Sequence, residues 1–205
     1  MIGSDTIRRA AIPPGSPSGG GEAAARATVT VGMTVALAAI AMTFAALLLA
    51  YGIVRVQAPT WPPPGELPLP PLWTLRLLAT VLAVAGSAAM HVAARAGRTG
   101  TAATASAPLA LGAATLTGVA FLAVQVASLR ALGAAGVHPD SGLAASVVYA
   151  LTAFHGLHAL VAVMFSLALL MARRPARPGR LLAVVAFWHL VTAVWLIVFG
   201  AVFVA

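Results

Sequence analysis

Apolar residues run for roughly twenty or more positions at a time along this chain, and the breaks between runs are short. A helix that crosses a bilayer needs about 20 consecutive apolar residues. Five stretches satisfy that, at about 28–54, 72–94, 107–129, 143–172 and 181–204, and Arg76 is the one Asp, Glu, Lys or Arg inside them. Proline and glycine mark the joins: Pro59 to Pro71, Gly97 and Gly100, Gly133 to Pro139, and Pro175 to Gly179. None of these joins is long enough to hold a folded soluble domain. The pattern predicts an all-α membrane protein, a five-transmembrane-helix bundle over 28–205. Residues 1–27 carry a Gly/Pro/Ser run from Pro13 to Gly21 and are expected to be a disordered tail. The first apolar run starts near Thr28 and is too long for a signal-peptide core, so no cleavage is predicted.

Composition agrees with the pattern. Of 205 residues, 61% are hydrophobic and 8% charged, and the mean hydropathy is +1.00, which does not suit a surface that must dissolve in water. The net charge of +8 comes from twelve arginines against Asp5, Glu22, Glu66 and Asp140. Apart from Arg76, these charges sit outside the apolar runs, and they form no nucleic-acid-binding patch. With the amino terminus inside, Arg8, Arg9, Arg26, Arg95, Arg98, Arg173, Arg174, Arg177 and Arg180 are cytoplasmic, while Arg55, Arg76 and Arg130 are outside. Positive charge is retained on the cytoplasmic side during insertion, so this orientation, with the carboxyl terminus outside, is expected. Trp61 and Trp73 then fall at or near the outer interface, where indole rings prefer to lie. The chain has no cysteine, which excludes thiolate zinc, iron–sulfur and thiolate-copper centres as well as cysteine nucleophiles.

Candidate chemistry rests on polar residues inside the spans: His91, His155, His158, His189, Gln125, Ser87, Ser128, Thr152 and Thr192. An ionisable group at membrane depth is costly and is a functional hypothesis by default. A neutral imidazole is the cheapest of these groups, and it can serve simply as an interhelical hydrogen-bonding post. Thr152, His155 and His158 fall on one face of their helix by three-residue spacing, a face expected to point into protein. The alternative is haem ligation by histidines on facing helices, and four such histidines are enough for two b-type haems. At about 1.5 Å per residue, His91 lies ~6 Å from Arg95, His189 ~13 Å from Arg180 and His158 ~22 Å from Arg173, so no two are expected to be level. A small-solute transporter is a further alternative, although it normally uses an intramembrane Asp, Glu or Arg as its switchable group. The carboxyl residues all lie in the tail and loops, and neither a nucleophile elbow nor a phosphate loop is present. Gly32, Ala36, Ala39, Gly112, Gly118, Gly142, Ala145, Gly156 and Ala159 are small enough to let backbones approach, within the bundle or against partner helices.

Several motifs in order resemble subunit III of the haem–copper oxidases. The first set is Gly32-Met33, Ala50-Tyr51, Arg55, Ala58-Pro59 and Trp61-Pro62-Pro63-Pro64-Gly65, leading through Leu69-Pro70 into the second helix. The second joins Gly118, Phe121 and Gln125 to Phe154-His155-Gly156-Leu157-His158, the strongest match. The third is Trp188-His189 with Val194-Trp195-Leu196. Together they cover about residues 30–200 and are similar to the short, five-helix bacterial form. Departures are equally specific. Relatives usually carry acids at the positions of Ile40, Ser128 and Thr192, so the family's pairing of a first-helix glutamate with the histidine at His189 is lost. His189 must find another partner, such as Thr192 on its own helix or a water.

The resemblance implies an accessory, non-redox subunit of a bacterial terminal oxidase, most simply a cytochrome c oxidase, in the cytoplasmic membrane. It implies no catalytic residue, metal or cofactor in this chain. Haem and copper then reside in partner subunits I and II, and phospholipid is held between helices. The implied roles are stability of the complex, lipid organisation and support of proton uptake. Five histidines, one of them His138 in a loop, fall short of the six that the catalytic subunit uses, and the missing cysteines rule out the dicopper subunit. Phe154, His155, His158 and His189 are expected to fix the bundle. A quinol oxidase subunit and a nitric-oxide-reductase-associated homologue are alternatives within the family.

Overall fold

A computed structural model describes residues 18–60, 69–99, 106–172 and 178–204. Its elements are α1 (Ser18–Gln57), α2 (Leu69–Thr99), α3 (Ser106–Ala134), α4 (Leu143–Leu170) and α5 (Pro178–Phe199), the last continuing into one π turn at Gly200–Val204. No strand occurs among the described residues. Each of the five helices is long and apolar enough to cross a membrane.

The boundaries differ from the sequence reading in ways that local chemistry explains. Helix α1 starts at Ser18 rather than near Thr28, because Glu22-Ala23-Ala24-Ala25-Arg26 is a strong helix-forming run that propagates back through Gly21, Gly20 and Gly19. The last ten residues of the expected tail are therefore helical, and residues 1–17 lie outside the described ones. Pro70 and Pro71 occupy the first turn of α2, and Pro178 opens α5, where a missing N–H costs nothing. Helix α3 runs five residues past the expected end and stops in a glycine-terminated motif. Gly136 adopts φ +79, its N–H bonds to the Gly133 carbonyl at 3.0 Å, and the Val137 N–H bonds to Leu132 at 3.0 Å. This is the double-bonded αL termination, and Val137 and Leu132 share its apolar contact inside one core cluster. The Tyr149 hydroxyl donates to the Val137 carbonyl at 2.9 Å, drawing the start of α4 back onto α3.

Helices α2 to α5 form a closed four-helix ring, with α2–α3 the most extensive pairing, and α1 lies outside it against α5 and α4. Two apolar clusters stack along the axis. One is built around Met90, Ala114, Ala162, Phe187 and Trp188, and the other around Phe44, Tyr51, Leu72, Leu132, Val148 and Val198. Ile40 packs against both clusters. Most of α1 presents Val29, Val31, Val35, Met42 and Leu49 outward. For a soluble protein that surface would be a liability, but in a bilayer it matches the surrounding chains.

Candidate functional site

The most polar part of the interior lies where the two clusters meet. Helix α4 places His155 there, 1% exposed, with Thr152 buried one turn before it. The imidazole is ringed by aromatic groups from three other helices: Phe121 of α3 at 5.5 Å, Trp195 of α5 at 5.3 Å and Phe44 of α1 at 6.1 Å between centroids. Phe121 and Trp195 meet edge to face at 5.2 Å, a geometry that the ring quadrupoles favour. The Trp195 indole N–H donates to Thr80 Oγ1 at 3.0 Å, and the Thr80 hydroxyl donates to the Arg76 carbonyl at 2.9 Å. One histidine thus anchors an aromatic junction of α1, α3, α4 and α5, and Trp195 carries it to α2. No described group hydrogen-bonds His155 Nδ1 or the nearby-buried Gln125 Nε2.

His158 does not share that environment. It is half-buried, its Nδ1–H donates to the Phe154 carbonyl of its own helix at 2.7 Å, and its ring meets Phe44 at 5.2 Å. The carbonyl can only accept, which assigns the proton to Nδ1. Phe154, expected to fix the bundle, is 44% exposed and stacks on His158 from outside. A three-residue step turns a helix by about 300°, so His158 and Thr152 sit on opposite flanks of His155, and only the Thr152 flank is fully inside.

His189 finds a partner that sequence spacing did not reveal. Its Nδ1 and the Ser87 hydroxyl share a hydrogen bond of 2.6 Å across α5 and α2. The Thr192 hydroxyl, one candidate for that role, instead reaches the Ala83 carbonyl at 3.5 Å. His91 lies beside this pair, its ring 6.1 Å from that of His189, so the inference that no two histidines are level fails here. Counting residues from the nearest arginine measures distance along a helix, and tilted helices and unequal arginine heights break the link to depth. Trp188, next to His189, fills a notch made by two glycines. A Cβ on Gly118 would come within 2.6 Å of Val163 and 2.8 Å of the Trp188 ring, and one on Gly86 within 2.8 Å of Thr117 Oγ1. Of the other small residues expected to mediate packing, Ala145 and Ala159 are buried in the core, whereas a Cβ on Gly32, Gly112 or Gly156 would meet nothing. Ala36 and Ala39 face outward with Gly32. Ser128 bonds to the Val124 carbonyl of its own helix at 2.9 Å, so neither it nor Ile40 reproduces an acid's chemistry.

Far along the bundle, where α1 ends and α2 begins, a second polar group closes the structure. The Tyr51 hydroxyl and Arg55 both donate to the Ala201 carbonyl, at 3.0 and 2.9 Å, supplying acceptor needs that the π turn exposes. Arg76 is buried with its guanidinium 3.3 Å above the Phe203 ring, a cation–π contact worth about 2 kcal/mol when desolvated. Arg76 stands near the outer end of its apolar run, and its burial is not legible in the sequence, because nothing in the local pattern pairs positions 76 and 203. Trp73 stays 39% exposed and meets Phe199 at 5.6 Å, while Trp61 lies outside the described residues.

These groups support packing better than chemistry. A di-haem core needs two facing histidine pairs. His91 with His189 makes one, but His155 and His158 share a helix and cannot ligate from opposite sides of a ring. Among the described residues no three His, Asp or Glu come together as a metal site. A transport path would need a switchable charge inside the membrane, and Arg76, the one charged side chain within the apolar runs read from the sequence, is held against Phe203.

Comparison with known proteins meets this geometry. The family model described as cytochrome c oxidase subunit III matches residues 8–205. A cytochrome c oxidase subunit 3 from Synechocystis sp. is 31% identical over 182 residues, covering 84% of this chain and 73% of the relative. Five helices long and apolar enough to cross a membrane, with Phe121, His155 and Trp195 of the family motifs meeting at one junction, complete the agreement, and the chain belongs to the cytochrome c oxidase subunit III family, as a multi-pass membrane subunit of a terminal oxidase.

Proposed function

We propose that this chain is a scaffold subunit of a bacterial cytochrome c oxidase, seated in the cytoplasmic membrane with its amino terminus inside. Electrons pass through haem and copper held by subunits I and II, and this subunit maintains their surroundings through helix packing and bound phospholipid. The observation that supports this reading best is how the intramembrane histidines are used: His189 on Ser87, His158 on its own helix, and His155 inside an aromatic ring set. Phe154 belongs to the outward face and is assigned to contact with lipid or a partner helix, along with Gly32, Ala36 and Ala39. Support of proton uptake then acts by shaping the catalytic subunit. A carboxylate relay through this chain is not available, since Ile40, Ser128 and Thr192 stand where relatives carry acids.

Affinity purification in a mild detergent tests the proposal. Retention of a haem–copper subunit with the tagged chain is the expected result, together with oxidase that loses activity faster during turnover when the chain is deleted. Recovery of the chain by itself, with an oxidase that is unaffected by its deletion, would count against the reading.

A further inference from the structure

Between α2, α3, α4 and α5 lies a cavity of about 30 Å³, lined by Leu82, Ala83, Phe121, His155, Trp188 and Thr192 among others. Most of its wall is apolar, but two of the residues that line it carry a group short of hydrogen bonds. His155 Nδ1 is buried without a partner among the described residues. Thr192 Oγ1 has only the long 3.5 Å contact to the Ala83 carbonyl, and Ala83 lines the same cavity. A buried polar atom left unpaired costs about 1–3 kcal/mol. A water molecule needs roughly 10–15 Å³ of such volume and two to four polar partners. The space fits one or two waters, and the residues that line it include His155, Thr192 and Ala83.

We infer that this cavity is a binding site for one ordered water, held between His155 of α4 and Thr192 of α5, with the Ala83 carbonyl of α2 as its third partner. The inference goes beyond the scaffold reading and stands on the cavity and its wall. The Thr192 hydroxyl and the water between them satisfy the imidazole without any ionised group. Helix α4 is then tied at one point in the membrane interior to α5 and α2, which meet there directly only through the long Thr192–Ala83 contact. A lining of the same size without polar groups would stay dry and take up an apolar gas instead.

High-resolution structure determination of the purified oxidase complex, together with a xenon-pressurised data set, tests this. The expected result is a single solvent peak within hydrogen-bond reach of both the His155 ring and Thr192 Oγ1, and no xenon at that position. Thr192→Val should remove the peak, admit xenon and lower the thermal unfolding midpoint, whereas Thr192→Ser should keep the peak. Should Thr192→Val fail to assemble, the unaltered complex still decides. A well-ordered cavity without solvent density, or one that takes up xenon in the unaltered complex, overturns the inference. A peak that survives Thr192→Val overturns the role of Thr192 and with it the proposed site.

Discussion

Close approach at single residues is where this bundle is least forgiving. Gly118 lets Val163 and Trp188 come nearer than any side chain permits, and the contacts are a branched methyl and a rigid indole, neither of which can swing away cheaply. Gly118→Ala is therefore expected to destabilise the subunit by about 1–3 kcal/mol, the range for overpacking a filled core. Gly156→Ala, in the neighbouring helix with open space at its Cβ, should be neutral or slightly stabilising, since alanine is the better helix former by up to about 1 kcal/mol. Thermal unfolding of the two variants in detergent separates them, and equal midpoints would show that the Trp188 notch is not tight. Ser87 and His189 give a second expectation. A double-mutant cycle with Ser87→Ala and His189→Phe should return a coupling of roughly 0.5–2 kcal/mol, because membrane hydrogen bonds average well below their vacuum strength. A coupling of zero would reassign His189 to its neighbour His91.

Among the helices, α1 is the loosest. It rests mainly on α5 and α4, and its firm attachments are Phe44 against His155 and His158 and the Tyr51–Arg55 clasp on the Ala201 carbonyl. Cutting back Phe44 in a soluble core would cost ~3–5 kcal/mol. Lipid chains are as apolar as the core, so here the transfer part vanishes and only lost packing remains, about 1–2 kcal/mol. Phe44→Ala combined with Arg55→Ala should release α1 while leaving α2–α5 folded. Limited proteolysis and cysteine cross-linking between α1 and α5 would register the release, and unchanged cross-linking would mean that the outward apolar face, through lipid or partners, holds α1 instead. Element positions were legible in the sequence because each run of apolar residues exceeds what a bilayer requires. Element ends were less so: the backward extension of α1 to Ser18 and the glycine termination at Gly136 depend on local bonds that hydropathy does not report.

At the scale of the whole molecule, the arginine distribution predicts an inside amino terminus and an outside carboxyl terminus. Fusing a fluorescent protein to the first end and alkaline phosphatase to the second should give signal from both in the same cells, and silence from both would invert the topology. The sequence alone determined how many times the chain crosses, because a helix in lipid must satisfy its backbone hydrogen bonds within itself, so each span is encoded locally. It also determined the absence of acids and thiols from the spans, and with it the kinds of chemistry this chain cannot perform. Which way each helix faces was decided only by the tertiary structure. Helices α3 and α5 have no one-sided apolar stripe, so lipid and protein are nearly equal neighbours over most of their surface, and only a few polar residues, such as Gln125, Ser128 and Thr192, mark the inward face. Shape made that choice instead, by seating Trp188 against Gly86 and Gly118, closing three aromatic rings around His155, turning Phe154 outward and giving His189 to Ser87.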